Sequence, residues 1–193
     1  MSTPHVVAQR LCQLAGPTLE LEFKLYKQNV SRDAWECRFI QRPALNTGDF
    51  HLKRGEEAAL TSWCGGKVQG HIPMIDFLRH MSAQECVQWG QIVAAELAAP
   101  VLIFASGQSF HAYGLTFLSK KDWPAYLAWL LLLDGKVAPE QSNLVDQRWI
   151  AHSILQEASA LRWTNATGKY RQVPQLVAEI AAHGSVQWAE AAR

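Results

Sequence analysis

Apolar and polar residues alternate from Leu19 to Tyr26 (LELEFKLY) and again from Ala34 to Ile40 (AWECRFI), which predicts two half-buried strands. The turn-like stretch Gln28 to Asp33 between them predicts an antiparallel pair. Asn46 to Gly70 shows no clean period. It carries Lys53, Arg54 and Lys67, a short helical possibility at Glu56 to Trp63 and the pair Gly65-Gly66, and reads mainly as loop. From His71 the signals sharpen: HIPMIDF is an apolar run of strand length, and Ser82-Ala-Gln-Glu85 forms a capping box before an amphipathic helix to about Ala98, ended by Pro100. Val101 to Ala105 reads as a buried strand, Ser106-Gly107-Gln108 as a tight turn, and Phe110 to Leu118 as the next strand. Asp122 with Pro124 opens a helix running to Leu133, Val145 to Glu157 a further one, Ala160 to Thr164 predicts a strand, and Pro174 to Ala182 a last helix. This order predicts an α+β (α/β-like) fold: a central mixed sheet flanked by helices, with Ile72–Phe77, Val101–Ala105, Phe110–Leu118 and Ala160–Thr164 among its strands.

Composition narrows the class. The chain of 193 residues is 49% hydrophobic and 18% charged with 8 Trp, so it can build a sizeable core and is expected to form one domain over residues 1–193. Disordered, collagen-like and coiled-coil chains are excluded. No run approaches the roughly 18 apolar residues of a membrane span, and Met1 to Arg10 lacks a basic segment followed by an apolar one, so a soluble, cytoplasmic protein without membrane contact is expected. A net charge of +1 rules out general coating of polyanions but leaves room for a local basic patch. The four cysteines, Cys12, Cys37, Cys64 and Cys86, show no paired spacing, which sets aside a zinc ribbon or a redox CxxC and predicts reduced, mostly core thiols.

Three clusters carry candidate chemistry. Of the six Asp, Asp122 and Asp134 fall at helix ends, and Asp33 and Asp49 in polar turns. Asp76 instead lies in the apolar strand IPMIDF, where a carboxylate must be paired, metal-bound or protonated. Asp146, after Leu144-Val145, is either a second such carboxylate or an N-cap. In Ser106-Gly-Gln-Ser-Phe-His-Ala-Tyr113, strand alternation puts Ser109, His111 and Tyr113 on one face. A hydroxyl and an imidazole side by side at a strand mouth suit an anionic oxygen such as a triphosphate; the alternative is a core histidine bonded to a carbonyl. Between Ala158 and Ala178 stand Arg162, Lys169 and Arg171 and no acidic residue, and Arg162, flanked by Leu161 and Trp163, calls for a phosphate or carboxylate partner. No cysteine or serine stands in a nucleophile turn, which ranks a Cys/His hydrolase built on His111 and His152 lowest.

In order and spacing, Met74-Ile75-Asp76, Ser109-Phe110-His111 and Val145-Asp146 resemble the three motifs of archaeo-eukaryotic primases and primase-polymerases, over about Ile72 to Pro174. The resemblance implies a primase-polymerase-like core with RRM-like elements and a two-metal nucleotidyl transfer. By carry-over, Asp76 and Asp146 hold Mg or Mn, Ser109 and His111 contact the phosphates of a nucleoside triphosphate, and Arg162 and Lys169 add basic contacts. Met74 stands where the family has the first acid of an Asp-x-Asp pair, and reading forward from Asp76 gives Leu78; Glu56 or Glu57 is a candidate replacement. Two functions follow: a primase-like nucleotidyltransferase acting on DNA or RNA, or a catalytically degenerate module that binds nucleotide, nucleic acid or a protein partner without turnover. Such a chain, with no zinc-binding or helicase segment, is expected to work beside separately encoded replication or defence proteins. Trp35, Trp63 and Trp163 are candidates for stacking on bases.

Overall fold

The computed structural model describes residues 3–27, 37–47, 50–134, 144–170 and 172–189. The expected turn at Gln28 to Asp33, Asp49, Trp35 and Arg171 lie outside the described residues, as do the side chains of Cys37 and Asp134.

The chain opens with a helix the alternation pattern did not announce, α1 (His5–Ala15), which buries Val7, Ala8, Leu11 and Cys12. It ends at Gly16, whose φ of 89° and N–H to the Cys12 carbonyl are the usual glycine stop. Strands β1 (Glu20–Lys27) and β2 (Cys37–Pro43) then pair antiparallel, with Phe23 opposite Ile40, as expected. The stretch read as loop contains β3 (Glu56–Gly65), antiparallel to the other side of β1. Its burial is almost unbroken along the strand, because β3 is central and covered on both faces. A strand buried on both sides shows no period-two alternation, which is why the pattern missed it.

Two five-stranded sheets form, and every strand pairing described within them is antiparallel, so the expectation of one central mixed sheet is corrected. The first has the order β2-β1-β3-β4, with β4 (Gly70–His71), and β8 (Ala160–Arg162) paired to β3. The second has the order β10-β9-β6-β7-β5, built from β5 (Met74–Asp76), β6 (Val101–Ala105), β7 (Phe110–Gly114), β9 (Gln175–Ile180) and β10 (Val186–Trp188). Ala160 to Arg162 therefore belongs to a different sheet from the other three strands expected beside it. The helix expected over Pro174 to Ala182 is the strand β9: QLVAEI lies between β6 and β10, where ladder hydrogen bonds outweigh the helix-start signal of Pro174.

The remaining helices are where the sequence put them. Helix α2 (Ala83–Leu97) carries the capping box, with Ser82 Oγ accepting from the Glu85 N–H and the Glu85 carboxylate accepting from the Ser82 N–H. A Cβ on its Gly90 would stand 2.5 Å from Ile180 Cδ1 and 2.9 Å from Ile103 Cδ1, so these two side-chain ends of the second sheet would have to shift to admit one. Helices α3 (Asp122–Asp134) and α4 (Gln147–Leu155) follow.

Apolar side chains separate into two cores. Leu21, Phe23, Leu60, Trp163 and α1 meet Met74, Phe104 and Tyr113 in a core to which both sheets contribute. Ile75, Ile103, Ala112 and Ile180 pack with α2, α3 and Ile150 of α4 in the other. The neighbours Met74 and Ile75 thus enter different cores, as strand alternation requires. Cys12, Cys64 and Cys86 are buried free thiols. Among the described residues no helix is long and apolar enough to cross a membrane.

Candidate functional site

The end of β5 and the start of β7 lie side by side, and their register sets Asp76 opposite His111. Beyond them the chain opens onto a cavity of about 620 Å³ whose lining includes Asp76, Ser109, His111, Asp146 and Arg162. Five of the six residues singled out in the sequence therefore converge. The sixth, Lys169, is exposed beside the Tyr170 ring, 5.7 Å from its centroid, and is not part of the lining.

Asp76 and Asp146 are joined through the backbone: the Asp146 N–H donates to the Asp76 carbonyl at 3.2 Å, next to an antiparallel bridge between Phe77 and Val145. Asp146 is also the N-cap of α4, its Oδ1 accepting from the N–H groups of Arg148 (2.9 Å) and Trp149 (3.4 Å). The N-cap reading of Asp146 therefore holds, and the residue also lines the cavity. Asp76 keeps 27% of its side chain exposed. Burial pushes its carboxyl up to about 7, and the neighbouring Asp146 carboxylate pushes in the same direction.

His111 Nε2 stands 3.7 Å from Asp76 Oδ1, beyond hydrogen-bond reach. Burial, reinforced by Arg162, drives its imidazole down to about 3, so His111 is neutral, and its buried Nδ1 meets no hydrogen-bond partner among the described residues. Ser109 closes the turn before β7, with its Oγ 3.0 Å from Ser106 Oγ and its carbonyl accepting from the Ser106 N–H. Gly107, at φ 110°, lets this turn pass Tyr170 and Arg162.

Arg162 is 6% exposed and binds carbonyls rather than a carboxylate: Nη1 donates to Thr164 (2.7 Å) and Gln172 (3.3 Å), and Nη2 donates to Ser106. Its guanidinium lies 4.0 Å from the Tyr170 ring centroid. Among the described residues three of its five N–H donors are used and no carboxylate forms an ion pair with it, although the Glu57 carboxylate acts on it through space.

Neither proposed replacement acid reaches the cavity. Glu57 is fully buried and its carboxylate accepts from Thr164 Oγ1 (2.5 Å), Thr167 Oγ1 (2.6 Å) and the N–H groups of Ala166 (3.0 Å) and Thr167 (2.7 Å). Glu56 is held by Arg38 (3.0 Å) and the Lys53 N–H (2.8 Å). Met74 has no exposed surface and packs in the shared core, whereas Leu78 lines the cavity. Among the described residues no three metal-ligating side chains gather. The acids that could serve as ligands to a divalent cation are Asp76 and Asp146, and among the described residues no third ligand joins them.

Sequence reasoning overlooked several lining residues. Arg79 and His80 directly follow the acidic strand, and Arg148 stands two residues after Asp146 with its Nε 3.5 Å from that carboxylate, so their proximity to the motifs was a usable signal. Tyr26 and Tyr170 gave none, being brought in from β1 and a distant loop. Trp163 proves to be core, 1% exposed, while Trp63 remains at a cavity wall.

Residues 41–175 match the family described as AEP-like, archaeo-eukaryotic primase 1D-like. The chain belongs to that archaeo-eukaryotic primase-like family. Its fold is similar to that in a crystal structure of primase RepB′, with a TM-score of 0.50 and 12% identity, covering 94% of this chain. The chain spans 57% of the length of that primase chain. No curated protein sequence matches it.

Proposed function

We propose that the cavity binds the phosphates of a nucleoside triphosphate together with one Mg or Mn ion. The observation that carries this reading is Arg162, a buried guanidinium that among the described residues bonds three carbonyls, forms no ion pair and leaves two donors, on a cavity that Asp76 and Asp146 also line. Ser109 Oγ and the neutral His111 imidazole supply polar contacts to phosphate oxygens, while Arg79 and Arg148 add positive charge. Asp76 and Asp146 hold the cation, which neutralises phosphate charge and, when bound, acts as a Lewis acid.

A second reading, metal-dependent nucleotidyl transfer on DNA or RNA, draws on membership of a primase-like family and on the paired carboxylates. Binding is the reading favoured by the side chains, because Met74 removes one acid from the set and neither Glu56 nor Glu57 replaces it. Isothermal titration with each nucleoside triphosphate and Mn, followed by primer-extension and de novo synthesis assays on the same sample, separates the readings. Binding that weakens about tenfold in Ser109→Ala and His111→Ala, consistent with loss of one hydrogen bond to a charged group, supports the pocket. Unchanged affinity in both variants overturns it. Product that disappears in Asp146→Ala establishes transfer; binding without product makes the protein a nucleotide-binding module.

A further inference from the structure

Behind the cavity wall lies a buried polar side chain to which the phosphate reading gives no part. Tyr113 follows His111 by two positions on β7, so strand alternation puts both rings on the same face of the second sheet. Tyr113 has no exposed surface, belongs to the core shared by the two sheets, and meets the Phe104 ring edge-on at 5.6 Å. Its hydroxyl is nonetheless polar, and among the described residues it has no hydrogen-bond partner. The Nδ1 of His111 is in the same position. Buried polar atoms are otherwise paired with protein or with ordered water, so two unpaired ones on one strand face call for an account.

Arg162 stands near both. Its charge acts through space on the His111 imidazole and on the Tyr113 hydroxyl, and the Asp76 carboxylate acts on that hydroxyl as well. After its bonds to the carbonyls of Thr164, Gln172 and Ser106, the guanidinium keeps two N–H groups among the described residues. Burial pushes the Tyr113 phenol far up, so it stays an O–H. A hydroxyl, an imidazole nitrogen and a guanidinium N–H make three polar partners, within the roughly two to four that hold a buried water.

We infer that one water molecule is held between Tyr113 Oη, His111 Nδ1 and Arg162, and that Tyr113, through this water, is the positioning residue that keeps the imidazole hydrogen on Nε2. A neutral imidazole carries a single N–H. The guanidinium can only donate, so the water accepts from Arg162 and turns a hydrogen toward Nδ1. Nδ1 is then the acceptor, and the imidazole hydrogen sits on Nε2, the atom 3.7 Å from Asp76 Oδ1 on the cavity side. With the hydrogen on Nδ1 instead, Nε2 would turn a lone pair toward the Asp76 carboxylate and toward any phosphate oxygen, which is repulsive in both cases. The water and the tautomer are properties of the ligand-free protein; their consequence for affinity rests on the reading of the cavity as a phosphate site.

The test is the ring-nitrogen NMR spectrum of the ligand-free full chain with isotope-labelled histidine, for the wild type and for Tyr113→Phe, which keeps the ring and removes only the hydroxyl. A high-resolution crystal structure of the wild type and titration of both proteins with a nucleoside triphosphate and Mn accompany it. The His111 signals, identified by their loss in His111→Ala, are expected to show hydrogen on Nε2 in the wild type and a mixture of tautomers in Tyr113→Phe, a change that a hydroxyl serving only to pack would not produce. Density for a water between Tyr113 Oη and His111 Nδ1 is expected in the crystal. Triphosphate affinity in Tyr113→Phe is expected to fall about twofold where the tautomers become equally populated, less than the loss of about tenfold on removing the imidazole. Hydrogen on Nδ1 in the wild type overturns the inference, as does a site without water or a tautomer unchanged in Tyr113→Phe, whether or not triphosphate binds. If Tyr113→Phe fails to fold, the wild-type spectrum and crystal structure still decide. A tautomer that shifts in Tyr113→Phe while the wild type binds no triphosphate overturns the phosphate reading and leaves the water bridge standing.

Discussion

The backbone N–H of Asp146 donates to the carbonyl of Asp76 at 3.2 Å, so two residues seventy positions apart are locked together while both side chains line one cavity. The bond ties the N-terminus of α4 to the end of β5, and it brings the Asp146 carboxylate close enough to disfavour ionisation of Asp76. A site that holds like charges together is under electrostatic tension until a cation or a proton arrives.

Asp76→Asn is expected to stabilise the metal-free protein at alkaline pH. The carboxyl titrates near 7 in the fold against 3.8 unfolded, so its ionisation costs stability progressively as pH rises from about 4 to about 7, and nothing below that range. At pH 8 the variant should gain on the order of 2 kcal/mol, read as a higher Tm, with little change at pH 4. With saturating Mn the order should reverse, because the variant loses a ligand. A lower Tm for the variant at pH 8 without metal contradicts this account.

Restoring an acid should succeed on only one side of Asp76. Met74 is wholly enclosed in the shared core, so Met74→Asp buries an unpaired charge and should cost about 4 kcal/mol or more in urea denaturation. Leu78 lines the cavity, so Leu78→Asp should be tolerated and should tighten Mn binding by calorimetry. Equal stability of the two variants rejects the assignment of these side chains.

Glu57 holds one wall of the site from behind. Its carboxylate accepts four hydrogen bonds from Thr164, Ala166 and Thr167, in the loop that leads to Tyr170. Burial alone would raise its pKa, but these donors outweigh it and hold the carboxyl below the usual range. Glu57→Gln turns part of an acceptor into a donor facing donors, and should cost about 2 kcal/mol while weakening triphosphate binding without touching the ligand. A variant with full stability and full affinity removes Glu57 from this role.

Acid should destabilise the protein well above the carboxylate range. Burial, with Lys120 adding to it, lowers His71 to about 4, and burial with Arg162 lowers His111 to about 3, against 6.5 when unfolded. The stability each neutral imidazole contributes is complete above about 6.5 and is lost as pH falls toward those values. Each contributes up to about 1.4 kcal/mol per pH unit, while reprotonation of Asp76 returns up to a similar amount with the opposite sign. The net expectation is a fall of about one imidazole's worth per unit between about pH 6 and 4, measured as Tm against pH. A flat profile over that interval rules out buried neutral histidines.

Local chemistry was legible in particular places. The capping box at Ser82, the strand VLIFA and the polar face of Ser109 and His111 each follow from neighbours in the chain, because caps, turns and alternation act over a few residues. β3 and β9 were misread for a different reason: a strand at the centre of a sheet gains its identity from partners far away, and its own residues carry no period. The same limit applied to the site. Asp76, Asp146, Ser109, His111 and Arg162 announced themselves as charges or polar groups in apolar settings, whereas Tyr26 and Tyr170 did not.

The amino-acid order by itself determined the α+β class, the motifs and most helix boundaries, since these rest on short-range hydrogen bonding and on the burial of apolar periods. Only the tertiary structure decided that Ala160 to Arg162 joins the first sheet, that Glu57 serves a loop rather than the cavity, and that Met74 is enclosed while Leu78 is not. Each of those outcomes depends on which distant strand or loop a residue meets, and that is a matter of long-range pairing and packing that no local window contains.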